Sequence, residues 1–425
     1  MTLSRGARLR AAAVRNFVTR RGRTLPFTTL GFGAATLGNL GKLLAEDGCD
    51  RAVRRAWDRG LCYYDTAPLY GLGLSEAPLG RILKQQRRED FLLSTKVGRL
   101  IEPCAPAESN AGAFQVRPDR KYVYDYSYDG VMRSFEESLK RLALDTIDIL
   151  LVHDVDGFTH GGGEASEARI QELLRGGGWR ALDALRASGA VAAIGLGVNE
   201  WEPCARMLEL ADPDLFLLAG RYTLLEQAPL DTLFPQCATA GAGIVLGGPY
   251  NSGVLAGKAT FNYGAIPPEV AERVHRLNMA CHAHGIELRQ AALQFVAAHP
   301  LVVSVIPGAA DAAEVDGNVA LIEAATPPAL WRDLKAQGLL HPDAPVPQSG
   351  GRDPGFRRIA ISSGQARAAK TARKNFACTY GDMGEMAFRP TRFKTRAKIN
   401  PYTHYPGGGS RGAAERAGIF ATRRG

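Results

Sequence analysis

Four side chains in this sequence are of types that together move protons. Asp65 and Tyr70 stand in YYDTAPLYG (63–71), Lys96 in LLSTK and His153 in DILLVHD. Taken alone, Asp65 reads equally well as a turn cap and Tyr70 as a packed surface aromatic. Their company changes that, because each lies at or just past the end of a short apolar run. Neighbouring strands lie about 4.8 Å apart, so three consecutive parallel strands would bring all four side chains to one end of a sheet, within roughly 10 Å. A free phenol ionises near a pKa of about 10. An ammonium about 4 Å away would favour the phenolate by up to about 4 kcal/mol at moderate effective dielectric, or roughly 3 pKa units. Asp65 would pair with Lys96 and moderate that field, and His153 would hydrogen-bond and orient a reacting oxygen. Tyr70 would then be a tunable proton donor or acceptor beside a carbonyl or an alcohol. The set contains neither a nucleophile nor a metal site, so the electrons would come from a cofactor.

The elements that must position these residues recur along the chain. Apolar runs fall at 27–35, 61–67, 91–98, 147–154, 191–198, 214–222, 243–250 and 302–308. Several are near-continuous rather than alternating, as expected of strands packed inside. Between them, helical periodicity marks 50–60, 128–145, 179–189, 267–285 and 312–324. Eight strands alternating with helices over roughly 300 residues predict an α/β fold, a (β/α)8 TIM barrel with its active-site loops at the C-terminal face of the strands. A doubly wound sheet would want GxGxxG after the first strand, and GFGAATLG (31–38) lacks the third glycine. Two connections are long, 99–127 and the Gly-rich 155–166. Both follow strand C-termini and read as substrate-pocket loops.

The motifs GFGAATLGN, DTAPLYG, STK, LLVHD, IGLGVNE and VIPGA, in that order, resemble the aldo-keto reductases over about 24–345. That resemblance implies a catalytic tetrad of Asp65, Tyr70, Lys96 and His153, with Tyr70 as general acid/base. It also implies a nicotinamide cofactor laid across the barrel mouth. Asn199 would hold its carboxamide and Asn318 its adenine. Gly33, Pro307, Gly308 and the helix start after them would line its path. Two positions depart from the family. Ala310 and Glu314 stand where many members clamp a 2′-phosphate with a basic residue, which points to NAD over NADP. Gly247 stands where many members stack a Tyr on the nicotinamide, with Tyr250 as a nearby substitute. Longer stretches (124–142, 150–161, 193–204 and 216–227) resemble the aldose dehydrogenase branch. That branch implies oxidation of an anomeric C1 hydroxyl to a lactone; pyridoxal oxidation and general aldehyde or ketone reduction are the alternatives. His160, Trp201 and Arg221, with Asp156 and Glu200, are candidates to grip the substrate. A non-catalytic regulatory subunit that keeps the tetrad is the rival from another class.

Composition bounds the rest. The chain has 425 residues and a formal charge of +9. Residues 1–23 carry +7 and 348–425 carry +12, which leaves −10 on 24–347. The basic ends therefore give no reason to expect the body to bind nucleic acid. No apolar run is long enough to span a bilayer, and seven scattered cysteines without a CxxC pair suit a reducing compartment, the cytoplasm. Both ends, 1–23 and 346–425, are expected to be disordered. The first reads as a transit-like segment or an upstream start, the second as a solvated tail, a basic arm or out-of-frame translation. The oligomeric state is not legible.

Overall fold

The eight apolar runs become eight parallel strands of one sheet. In chain order the strands are β1 (Val14–Val18), β2 (Thr24–Thr28), β3 (Phe32–Gly33), β4 (Tyr63–Asp65), β5 (Leu92–Val97), β6 (Arg99–Pro103), β7 (Arg120–Tyr124), β8 (Ile149–His153), β9 (Ala193–Val198), β10 (Leu215–Ala219), β11 (Gly243–Gly247) and β12 (Val302–Ile306). The structure is a computed structural model and describes residues 13–116 and 118–348. The main sheet runs β3-β4-β5-β8-β9-β10-β11-β12. Parallel bridges Leu30–Val305 and Gly33–Gly308 join its two ends, which makes it a (β/α)8 barrel. Gly33 is small for that reason: a Cβ there would sit 2.7 Å from the Ile306 carbonyl oxygen.

Side chains alternate across each strand, and the inward rows show how this sequence divides the barrel. Tyr63 and Asp65 on β4, Leu92, Ser94 and Lys96 on β5, and Ile149, Leu151 and His153 on β8 are all buried. Each row begins apolar or aromatic and ends polar. The apolar starts pack with Leu215, Leu217, Val245 and Val303 as an inner core. The outward rows, such as Leu93, Leu150, Ile194, Phe216 and Ile244, form a second core under the helices. The helix Tyr128–Leu142 shows the local logic: the Ser127 side chain caps its first turn at Gly130 N, and Val131, Phe135 and Leu142 turn inward.

Three expectations need correction. Residues 14–23, assigned to a disordered extension, are folded: β1 pairs antiparallel with β2, and Phe17, Leu25 and Phe27 plug the N-terminal end of the barrel. The alternation in VRNFV supports this strand, but the surrounding arginines mask it. The run 27–35 is accordingly split, its first half in the plug and Phe32–Gly33 in the barrel. The connection 99–127 is not all loop, since β6 and β7 form an antiparallel ribbon. The connection 155–166 holds the short helix Gly157–His160 and the start of the helix Gly163–Arg175. Residues 1–12 and 349–425 lie outside the described residues.

Candidate active site

The ends of β4, β5 and β8 bring Asp65, Tyr70, Lys96 and His153 to one mouth. Asp65 lies beside Ser94, Lys96 beside Leu151 and His153 beside Gly197 in the sheet register. The Lys96 ammonium has three protons and spends all three. Nζ donates to Asp65 Oδ2 at 2.7 Å, to the Thr66 carbonyl at 2.9 Å and to the Tyr70 hydroxyl at 3.1 Å. An ammonium cannot accept, so the Tyr70 oxygen accepts from Lys96 and keeps its own proton for another partner. The second Asp65 oxygen accepts from Ser94 at 2.6 Å, and Ser94 lies 2.8 Å from the Tyr63 hydroxyl. Gly197 on β9 makes room for the lysine: a Cβ there would come 3.0 Å from Lys96 Cε.

Burial dominates the protonation of this cluster. Asp65 is 2% and Lys96 1% exposed. Loss of solvent pushes the Asp65 carboxyl above its usual range, opposed by Lys96 and Ser94. Tyr70 is pushed well above an ordinary phenol by burial, reinforced by the charges of Asp65 and Asp154 and opposed by Arg99. This corrects the expectation that Lys96 would draw the phenol down. The lysine's charge is matched by Asp65, and desolvation disfavours the phenolate. His153 is driven well below its usual value by burial and by the positive charges of Arg99 and Lys96, so it is neutral imidazole at neutral pH. Its ring stands edge-on to Tyr70, with centroids 5.8 Å apart, and its Nδ1 is buried without a hydrogen-bond partner among the described residues.

Behind His153 lies a second charged group that the sequence did not single out. Asp154 Oδ2 takes an ion pair from Arg99 of β6 and sits 3.4 Å from His153 Nε2. Asp154 Oδ1 accepts from Asn199 Nδ2 at 3.3 Å. Asp156 caps the helix Gly157–His160 and accepts from the Asn199 backbone N–H at 2.6 Å. Burial and the neighbouring Asp156 push Asp154 up to about 6, against Arg99 and Lys96.

The remaining candidates divide. Asn199 is at the mouth, its amide fixed by two carboxylates. Asn318 accepts from the Tyr250 hydroxyl at 2.9 Å, so Tyr250 belongs beside the helix Ala312–Glu323 rather than at Gly247. Gly308 pairs with Gly33 in closing the barrel, and Pro307 accepts from Gly33 N. The start of the helix Ala312–Glu323 is already capped: Asp311 accepts from Glu314 N, and Glu314 accepts from Ala310 N, each near 2.9 Å and 2.8 Å. His160 Nε2 is 2.8 Å from the Asp154 carbonyl, its ring packed on Tyr124. Arg221 is spent on Asn262 at 3.0 Å and Glu226 at 3.4 Å. Trp201 packs partly buried against the outer core. Glu200 holds the Phe158 backbone N–H. Missed in the sequence were Phe158 and Tyr263, exposed by 46% and 64%, which meet with ring centroids 6.2 Å apart. Their only sequence signal is an aromatic in each of two Gly-bearing turns.

Comparison with known proteins agrees with this architecture. The model of the aldo/keto reductase family matches residues 29–336. A pyridoxal 4-dehydrogenase from Microbacterium luteolum is 39% identical over 333 residues, covering 75% of this chain and 96% of its own. A D-threo-aldose 1-dehydrogenase from a Pseudomonas species is 37% identical over 326 residues, covering 74% and 95%. The solved holo form of an aldo-keto reductase from Bacillus halodurans shares the fold, with a TM-score of 0.59 at 24% identity over 79% of this chain and 99% of that one.

Proposed function

The chain belongs to the aldo/keto reductase family, and from that premise we propose that it oxidises the anomeric C1 hydroxyl of an aldose to a lactone, with NAD as acceptor and Tyr70 as the general acid/base. The observation that carries the reading is the Lys96 to Tyr70 hydrogen bond of 3.1 Å, which sets the ammonium where it stabilises the phenolate that oxidation requires. A nicotinamide dinucleotide, the cofactor of this family, fits the residues present. Carboxylates only accept hydrogen bonds, so Asp154 and Asp156 turn the Asn199 NH2 toward themselves and leave its carbonyl oxygen for a carboxamide. When bound, the oxidised nicotinamide accepts the hydride, and its positive charge favours the phenolate.

In this mechanism Lys96 holds the Tyr70 oxygen and stabilises negative charge as it develops there. Asp65 fixes Lys96 and keeps the buried cluster near neutrality. His153, neutral, stands edge-on to Tyr70 and lines the place where the substrate oxygen would lie. Tyr70 removes the hydroxyl proton of the substrate in oxidation and returns it in reduction. NAD is favoured over NADP because Asp311 and Glu314 occupy the helix start where a 2′-phosphate would need positive charge.

Pyridoxal is the second reading, supported by the 39% identical relative and by the exposed faces of Phe158 and Tyr263, which suit a flat ring. The test is NADH formation with L-fucose, D-arabinose, L-galactose, D-glucose and pyridoxal, with NADP run in parallel. Turnover of the sugars that share the D-threo configuration supports the aldose reading, and turnover of pyridoxal alone replaces it with the second. Equal or better efficiency with NADP contradicts the cofactor preference.

A further inference from the structure

The mouth holds one carboxylate that touches both halves of the proposed chemistry. Asp154 Oδ2 lies 3.4 Å from the His153 imidazole, and Oδ1 accepts from the Asn199 amide at 3.3 Å. Its own placement is tightly determined. It is buried, adopts a left-handed φ of 47°, and is paired with Arg99. Its carbonyl accepts from His160 Nε2 at 2.8 Å and lies 3.2 Å from the Tyr126 hydroxyl. A non-glycine residue in the left-handed region is an uncommon conformation, tolerated best by Asn and Asp. It persists where the surroundings over-determine it. Here a ribbon strand, a short helix and a core tyrosine all fix the same residue.

We propose that Asp154, anchored by Arg99, is a positioning residue that orients Asn199 and His153 together and thereby couples cofactor binding to the acid–base site. This rests on the reading of Asn199 as a carboxamide contact and of His153 as a contact of the reacting oxygen. An unanchored Asn199 amide is free to turn either face to the mouth. With the carboxylate present its NH2 is committed inward, and the acceptor oxygen is the face a ligand meets. The same carboxylate lies 3.4 Å from His153 Nε2 and packs against that edge of the ring. Loss of the charge therefore loosens both groups at once, leaving Asp156 as the remaining acceptor for the Asn199 amide at 3.5 Å.

The test is a double-mutant cycle read by NADH binding, without turnover, from the change in nucleotide fluorescence. Asp154→Asn keeps shape and tolerance of the left-handed φ while it removes the charge and turns one acceptor oxygen into a donor. Asn199→Ala removes the oriented amide. Each is expected to weaken NADH binding about tenfold, and the double variant by no more than about twofold beyond either, because both act through one contact. In steady state, Asp154→Asn is also expected to lower kcat, which Asn199→Ala alone lowers less. Asp154→Asn leaves Arg99 unpaired in a buried place. The variant Arg99→Met/Asp154→Asn removes that charge as well and serves if the single variant does not fold; it is expected to show the same NADH affinity and the same coupling. Losses that multiply to about a hundredfold in the double variant, or wild-type NADH affinity in Asp154→Asn, overturn the proposal alone. Failure of the wild-type protein to bind NADH would instead overturn the cofactor reading and the proposal with it.

Discussion

At the N-terminal end of the barrel Arg15, 3% exposed, gives its guanidinium to the carbonyls of Ala297, His299 and Val302. At the C-terminal end Lys96, 1% exposed, divides its protons among Asp65, the Thr66 carbonyl and Tyr70. Both are buried cations, yet their acceptors differ. Arg15 meets backbone carbonyls that have no proton to give, and beside it Phe17, Leu25 and Phe27 fill the barrel with hydrocarbon. Nearby, Arg186 and the Arg20 backbone satisfy the Asp214 carboxylate at 2.9 Å and 2.7 Å. Lys96 meets a hydroxyl, which can still donate, and the neighbouring His153 Nδ1 has no partner among the described residues. Buried charge whose acceptors are backbone carbonyls closes the barrel. Buried charge that holds a hydroxyl still able to exchange a proton is suited to act on a ligand.

If that contrast is right, substitutions at the two ends separate stability from chemistry. Phe17→Ala opens a cavity in the plug and is expected to lower stability by about 3–5 kcal/mol in urea denaturation. Turnover per folded molecule should stay near wild type; an equal loss of both would erase the distinction. Gly197→Ala puts a methyl against Lys96 Cε and is expected to lower kcat about a hundredfold. Its thermal midpoint should change little, whereas unchanged kcat would mean that the lysine's position is not critical.

The pH profile sharpens the comparison further. Tyr70 ionises well above 10, through burial and the nearby carboxylates, so the base form needed for oxidation is scarce at neutral pH. The kcat/KM for oxidation is expected to rise about tenfold per pH unit from pH 7 to 9. Asp154, pushed up to about 6 by burial and Asp156 against Arg99 and Lys96, takes up a proton below that value. The profile should steepen there as its hold on His153 and Asn199 is lost. A flat profile from pH 7 to 9 contradicts the assignment of the base. The smallest effect is expected at Arg221, whose guanidinium is already bound to Asn262 and Glu226. Arg221→Ala should change kcat/KM by less than about threefold, and a larger loss would return it to the substrate site.

The barrel was legible because its strands are short apolar runs alternating with helical periodicity, a pattern that composition cannot disguise. The meeting of Asp65, Tyr70, Lys96 and His153 at one mouth was legible because each lies at or just past the end of such a run. The plug was not. Val14–Val18 alternates as a strand should, but it stands among arginines and pairs only with the residues just after it. The ribbon β6–β7 is half-polar and mostly only partly buried, so its sequence reads as loop. Asp154 and Arg99 escaped notice because their partnership depends on that ribbon and on a left-handed φ that no spacing reveals. The direction of the Tyr70 shift was misjudged because charge can be counted along a sequence and burial cannot.

The central claim is that the Tyr70 oxygen, as phenolate in oxidation and as phenol in reduction, does the acid–base chemistry, and replacing that oxygen tests it most directly. Tyr70→Phe removes one atom from the mouth and leaves the plug, the sheet and both cores untouched. With the preferred substrate and NAD, kcat should fall by about 10²–10⁴-fold, while the thermal midpoint and NADH binding stay near wild type. A variant that keeps wild-type turnover would contradict the account and move the acid–base role to another group.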